Sequence, residues 1–180
     1  MNPYDLLKKY FNAEALRIIA THSRLVADKA LRIARNSNLP LDTGFIEEAA
    51  MLHDIGVSQT DAPMLCCHGS EPYIRHGVLG RTLLENEGYP RHALACERHI
   101  GVGLTVEDIT AQGLPLPKRD MLPVSPEEKI IACADLFYSK RVNMLHIEKP
   151  LDQIRSELSK FGNSKTAVFD QWILEFSLEK

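Results

Sequence analysis

Hydrophobic residues in this chain recur every three or four positions over long stretches, which is the spacing of amphipathic helices. The longest such pattern covers residues 13–36. A second helix is predicted to have Thr43 as its N-cap and to end at Gly56. Near the end of this second pattern, His53 and Asp54 interrupt the apolar residues. Half-buried polar groups need a partner, and a metal ion is one candidate.

Six shorter helical patterns follow, separated by segments rich in turn-forming residues. They cover residues 76–86, 90–99, 105–112, 126–137, 151–161 and 168–176. Ser125 is predicted to cap the fourth of these helices, with Glu128 completing a capping box. Residues 57–75 have no sustained period and are predicted to form a functional loop or lid, and residues 113–126 form a second loop. Because no stretch alternates in the manner of a strand, we predict an all-α domain.

Composition and charge restrict the classes of function. The formal net charge of −3 argues against dedicated nucleic-acid binding, which usually requires a basic surplus. No apolar run approaches the roughly 20 residues that span a bilayer, and the N-terminus lacks the layout of a signal peptide. The cysteines show neither paired spacing nor Cys-x-x-Cys. These features predict a cytoplasmic protein with reduced thiols and no membrane partner.

Several histidines and aspartates lie in or beside the apolar stripes, or at the ends of the predicted helices. They are His22, His53, Asp54, His76, His99 and Asp135. Taken singly, each has an ordinary explanation, such as a core histidine bonded to a carbonyl or a histidine at a helix end. Taken jointly, they are better explained by a metal site, because a helical bundle can direct ligands from several helices to one point. Imidazole and carboxylate donors suit Fe, Mn, Ni, Co or Zn, whereas Ca or Mg sites use oxygen donors.

The order of these residues resembles the motif that names the HD-domain superfamily of metal-dependent phosphohydrolases. The residues that match this motif are His22, His53, Asp54 and Asp135. Residues 53–56 have the sequence HDIG, which is identical to a known variant of this motif. The segments around His76 and His99 are similar to the six-ligand, two-metal branch of the superfamily. The resemblance covers about residues 14–142.

This resemblance implies an HD-domain helical bundle with a metal site between its helices. Residues 1–150 are expected to form the HD domain, and residues 151–180 to add C-terminal helices that pack on the same domain. One metal would be held by His22, His53, Asp54 and Asp135. Asp54 would bridge to a second metal held by His76 and His99. The cofactor would be one or two divalent transition metals, namely Fe, Mn, Ni or Co, with Mg or Zn also compatible.

The implied activity is a metal-dependent phosphohydrolase that uses a metal-bridging hydroxide, with Asp54 as a catalytic residue. The substrate would be a nucleotide or another small phosphate ester or anhydride. The candidates for binding its phosphate are Arg75, Arg98 and Lys140. Some related hydrolases carry a lysine shortly after the His-Asp pair, but residues 57–59 contain none, so the phosphate contact is unassigned. A di-iron oxygenase and a non-catalytic metal- or ligand-sensing module remain alternatives, and the sequence does not indicate the oligomeric state.

Overall fold

The computed structural model of the protein describes residues 2–37 and 39–178. The predicted domain ranges also include Met1, Asn38, Glu179 and Lys180, which lie outside the described residues. The fold is all-α, as predicted. Its α-helices are α1 (Pro3–Tyr10), α2 (Ala13–Asn36), α3 (Thr43–Leu52), α4 (His76–Asn86), α5 (Pro90–Arg98), α6 (Val106–Ala111), α7 (Pro126–Leu136), α8 (Leu151–Ser159) and α9 (Asn163–Glu175).

The helices pack around α2, which contacts both α3 and α7, while α4 pairs with α5. The last two helices pack on each other, and α9 also reaches α7. Their buried side chains, including Ile154, Phe169 and Trp172, belong to the same apolar cluster as Ile19 of α2. One continuous core therefore joins the C-terminal helices to the rest of the bundle.

Residues 55–75 are more regular than the sequence predicts. They contain short 3-10 helices at Ile55–Gln59, Pro63–Leu65 and Tyr73–Arg75. They also contain two antiparallel strands, β1 (Asp61–Ala62) and β2 (Cys67–His68). Val57, Leu65 and Cys67 are buried and attach this segment to the core. Because these apolar positions follow neither the helical nor the strand period, a periodicity search does not detect them.

Two helix starts also differ from the prediction. α3 is capped by Asp42 rather than Thr43, because a carboxylate oxygen of Asp42 accepts a hydrogen bond from the backbone N–H of Phe45 at 3.0 Å. The helix α1 was not predicted, although Asn2 caps it in the usual way. It is only eight residues long and buries only Leu7 fully, so its apolar pattern is weak.

The predicted capping box of α7 is only half formed. The Ser125 hydroxyl accepts a hydrogen bond from the backbone N–H of Glu128 at 3.2 Å, as predicted. The Glu128 carboxylate instead accepts hydrogen bonds from the backbone N–H of Val124 at 2.8 Å and from Arg98 at 3.0 Å. The ion pair with Arg98 connects the start of α7 to the end of α5, which explains why this carboxylate turns away from the cap.

The cysteines and the helix lengths bear on the predictions from composition. All four cysteines are free, and Cys67, Cys96 and Cys133 are buried. Burial raises the pKa of Cys67 to about 11 and that of Cys133 to about 12, so both remain thiols at neutral pH. Among the described residues, no helix combines the length and the apolar character required to cross a membrane.

Gly56 has a different role from the predicted one. α3 ends at Leu52, and Gly56 lies in the following 3-10 turn, where its backbone touches the start of α4. A Cβ atom at this position would overlap the carbonyl oxygen of His76 and the amide nitrogen of Gly80. The close approach of two backbones therefore requires a glycine here. This contact holds the turn after Asp54 against the helix that begins at His76.

We predict that Gly56→Ala lowers the free energy of unfolding by about 2 kcal/mol or more, because two backbone segments must move apart. Gly44→Ala is the matched control, since a Cβ atom there would come no closer than 3.6 Å to the Asp42 side chain. This control should be neutral or slightly stabilising within α3. Urea unfolding followed by circular dichroism measures both changes, and an equal effect of the two variants would contradict the close-packing role.

Candidate metal centre

Three histidines at helix ends present the same ring nitrogen, Nε2, to the buried carboxylate of Asp54. His53 follows α3, His76 begins α4 and His99 follows α5. In each ring, Nδ1 donates a hydrogen bond to the backbone carbonyl three residues earlier. The accepting carbonyls are those of Ala50 (2.6 Å), Tyr73 (2.7 Å) and Cys96 (2.7 Å). A carbonyl can only accept, so Nδ1 carries a proton in each ring, and Nε2 can bind a metal cation whenever it carries no proton itself.

Asp54 lies between two groups of possible ligands and is fully buried. Its Oδ2 atom is 3.0 Å from His53 Nε2 and 3.4 Å from His22 Nε2. Its Oδ1 atom is 3.6 Å from the Nε2 atoms of both His76 and His99. Each oxygen therefore faces a different group, which is the arrangement required of a bridging carboxylate.

The first group is completed by side chains from two long helices. His22 comes from α2 and Asp135 from α7, and His22 Nε2 lies 2.9 Å from Asp135 Oδ1. His53 Nε2 is 3.4 Å from the same oxygen. Within each group, the possible ligand atoms lie within 4.8 Å of one another. The first group consists of His22, His53, Asp54 and Asp135, and the second group consists of Asp54, His76 and His99. The structure thus brings together all six ligands that the sequence analysis named.

The donor atoms fit metal cations on two grounds. Bonds of about 2.0–2.1 Å in tetrahedral or octahedral geometry separate neighbouring ligand atoms by roughly 2.8–3.4 Å, which is close to several of the distances above. Moreover, the Nε2 atoms of His76 and His99 lie 3.1 Å apart, although both Nδ1 atoms already hold a proton. Two lone pairs that face each other repel, so this pair requires a proton or a metal cation between the two nitrogen atoms. These residues could therefore hold metal.

Several buried polar atoms in this centre have no hydrogen-bond partner among the described residues. They are His22 Nδ1, His53 Nε2 and Asp54 Oδ1, whereas Asp54 Oδ2 faces the ammonium group of Lys140 at 2.8 Å. Leaving such atoms unpaired costs about 1–3 kcal/mol each, and more for a charged group. Metal coordination would satisfy the atoms of His53 and Asp54, which supports the fit.

Burial and facing charges determine the protonation of these side chains. Burial lowers the pKa of His22 to about 4 and that of His76 to about 3, which keeps both rings neutral. Burial alone would also lower the pKa of His53, but the carboxylates of Asp54 and Asp135 raise it to about 10. The space between His53 and the two carboxylates therefore favours positive charge, which a proton or a metal cation can supply.

Lys140 connects the centre to a surface cavity. Its Nζ atom is 2.8 Å from Asp54 Oδ2 and 3.8 Å from Asp135 Oδ1. Burial would lower the pKa of Lys140, but these two carboxylates raise it well above its usual value. Lys140 also lines a cavity of about 820 Å³, together with Tyr73 and the segments 61–65 and 139–143. The ammonium group therefore lies between the carboxylates and the open space.

The other two predicted phosphate contacts lie elsewhere. Arg75 forms an ion pair with Glu71 at 3.2 Å, and Arg98 forms one with Glu128 at 3.0 Å. Neither arginine lines the cavity that contains Lys140. Of the three cations named from the sequence, the structure brings Lys140 to the possible metal ligands.

Tyr73 was missed by the sequence analysis. Its carbonyl accepts the hydrogen bond from His76, and its ring lies 4.8 Å from the His76 ring at an angle of 32°. Its side chain also contacts Lys140, and burial raises its pKa to about 12, so the hydroxyl keeps its proton. Its position three residues before a ligand histidine was the available signal, because the other two helix-end histidines bond to the carbonyl at the same spacing.

The arrangement defines an all-α protein with a buried His/Asp centre that could hold metal. A comparison with protein-family models matches residues 19–138 to the HD domain. This match covers more than half of the chain, so the chain belongs to the HD-domain family. Proteins of this family are usually metal-dependent hydrolases.

Three curated proteins illustrate its relatives. An uncharacterized protein of Methanocaldococcus jannaschii is 37% identical over 141 residues, which cover 75% of this chain and 76% of that protein. A tRNA (cytidine(56)-2'-O)-methyltransferase of Thermoplasma volcanium is 29% identical over 175 residues, or 93% of this chain and 46% of that protein. The protein of the same name from Picrophilus torridus is 34% identical over 135 residues, which cover 74% of this chain and 35% of that protein. This chain thus spans less than half of either methyltransferase. No solved structure matches significantly.

We predict that the purified protein contains about one to two equivalents of transition metal per chain. His53→Ala and Asp54→Ala should lose most of this metal, because each removes a buried ligand atom. His99→Ala should lose about half, since it removes a ligand of one group only.

Elemental analysis of the folded variants measures these losses. His146→Ala is the control, because His146 is exposed and belongs to neither ligand group. Equal metal content in all four variants would show that the His/Asp centre does not bind the metal.

Proposed function

We propose that this protein is a metal-dependent phosphohydrolase that acts on a nucleotide or another small phosphate ester or anhydride. The observation that carries the proposal is the division of the two Asp54 oxygens between two groups of ligands. Such a set can hold two divalent cations, for which Fe, Mn, Ni and Co suit the mixed imidazole and carboxylate donors. When bound, a pair of such cations supplies an activated water and neutralises charge on phosphoryl oxygens.

The protein's own groups have separate roles in this proposal. Asp54 joins the two cation positions, and its complete burial excludes bulk water from them. The backbone carbonyls that accept from His53, His76 and His99 orient the three rings before any metal binds. Less reorganisation is then required when the centre forms.

Lys140 is the proposed phosphate contact. Its ammonium group lies beside the carboxylates and also lines the cavity, so it can donate to a phosphoryl oxygen that approaches from that side. The Tyr73 hydroxyl contacts Lys140 and can donate a second hydrogen bond. A fixed cation and a hydroxyl beside the centre suit an anionic phosphate group, as the proposed phosphohydrolase requires.

The cavity and the overall charge support a small substrate. A volume of about 820 Å³ lies within the range of ligand pockets, roughly 300–1,000 Å³. The formal net charge of −3 does not favour nucleic acid as the main partner. The match covers only 46% of one tRNA methyltransferase and 35% of the other. Their name therefore does not assign methyl transfer to the part that resembles this chain.

We expect phosphate release from at least one member of a panel of nucleotides, sugar phosphates and a 5'-phosphorylated oligoribonucleotide. Each compound is assayed with Mn, Ni, Co and Fe, and oxygen uptake is recorded in parallel. Asp54→Asn should reduce turnover by at least about 10²-fold, because the amide no longer supplies the bridging charge. Oxygen uptake without phosphate release would favour the oxygenase, and a folded, metal-loaded protein without either would be a non-catalytic module.

Lys140→Met should reduce kcat/KM by about 10–100-fold while the metal content stays unchanged, because the variant removes a donor to the phosphate and no metal ligand. Lys118→Met is the matched control, since Lys118 is exposed and does not line the cavity. Steady-state kinetics with the best substrate of the panel measure the difference. Equal kinetics in the two variants would exclude Lys140 as the phosphate contact.

A further inference from the structure

A second cavity, of about 260 Å³, lies between the metal-bearing bundle and the last two helices. Ile74, Ile100 and Leu136 form one side of it, and Ile154, Leu158 and Phe161 form the other. It shares no lining residue with the 820 Å³ cavity in the described part of the chain. It is therefore separate from the proposed substrate site.

Two residues that line this cavity are the sequence neighbours of possible metal ligands. Ile100 directly follows the possible ligand His99, and Leu136 directly follows Asp135. Its other side is contributed by helices beyond residue 138, where the match to the HD domain ends. The cavity therefore depends on a part of the chain that the family match does not include.

The charged groups that line the cavity already have partners. The Lys165 ammonium group donates to the carbonyl of Gly103 at 2.9 Å and forms an ion pair with Asp108. The Glu157 carboxylate accepts from Lys149 at 2.7 Å and from Gln153 at 3.0 Å. Because both charges are neutralised by neighbouring side chains, neither needs an ionic ligand.

Phe161 lines the same cavity but remains 61% exposed. A large aromatic side chain beside an apolar cavity gains stability if an apolar molecule covers it, because the contact removes apolar surface from water. A cavity of about 150 Å³ already accommodates benzene, so this larger cavity has room for a molecule of more than one ring.

We propose that this cavity, between the bundle and helices α8 and α9, is a binding site for a neutral, largely apolar small molecule. Its aliphatic walls, its paired charges and the exposed Phe161 at its edge favour such a ligand over an anion. The site is distinct from the one that would hold phosphate.

The test uses N-phenyl-1-naphthylamine, a neutral fluorescent probe, and its 8-sulfonate, which adds one negative charge. The protein should bind the neutral probe saturably at one site per chain, and the sulfonate more weakly. Leu104→Trp places a larger side chain on the cavity wall and should weaken binding of the neutral probe at least about tenfold. Phe161→Ser should also weaken it, and this exposed substitution does not disturb the core.

Leu174→Trp is the matched control, because Leu174 is 73% exposed and does not line the cavity, and it should bind the probe normally. Thermal unfolding shows which variants are folded. If Leu104→Trp does not fold, the binding of the probe to Phe161→Ser tests the proposed site. Absence of saturable binding, or unchanged binding in the folded variants, would overturn the proposal. Equal binding of the sulfonate would overturn the neutral ligand class, and displacement of the probe by inorganic phosphate would move the site to the other cavity.

Discussion

The carboxylate of Asp54 is fully buried, and the fold has to compensate the cost of removing it from water. An ionised carboxylate without compensation is very costly in an apolar interior, so the surroundings must supply positive charge or donors. Here Lys140 and His53 supply positive charge to Oδ2, while His76 and His99 approach Oδ1. The side chains that compensate this cost come from the ends of α3 and α5, the start of α4 and the turn after α7.

The separation of the two ligand groups depends on a contact between backbones. Gly56 lies against the start of α4, and Gly80 in α4 lies against the Cys96 thiol of α5. Cys96 in turn donates a hydrogen bond to the carbonyl of His53 at 2.9 Å. These small residues allow three elements to approach closely enough for Asp54 to reach both groups. The glycine of the HDIG sequence therefore contributes to the geometry of the centre as well as to the chain path.

The sequence predicted features that follow a period and could not predict those that depend on distant packing. The apolar repeat of residues 13–36 was sufficient to predict the helix α2. The unusual placement of six His and Asp residues was sufficient to predict a metal site. The helical periods assign residues to elements, but they do not fix the distance between His22 and Asp135, which are 113 positions apart. The position of Lys140 relative to Asp54 likewise depends on the turn after α7, which has no helical or strand period.

The HD-domain match covers only part of the cavity in which we propose that the substrate binds. The HD-domain match ends at residue 138, whereas Lys140 and the segment 139–143 line the proposed substrate cavity. All six possible metal ligands lie inside the match. The family therefore accounts for the donor set, while the side chains that would contact a substrate lie partly outside it. Because function depends on such local groups rather than on the fold, the specificity of this protein has to be sought in the turn that follows α7 together with Tyr73 and residues 61–65.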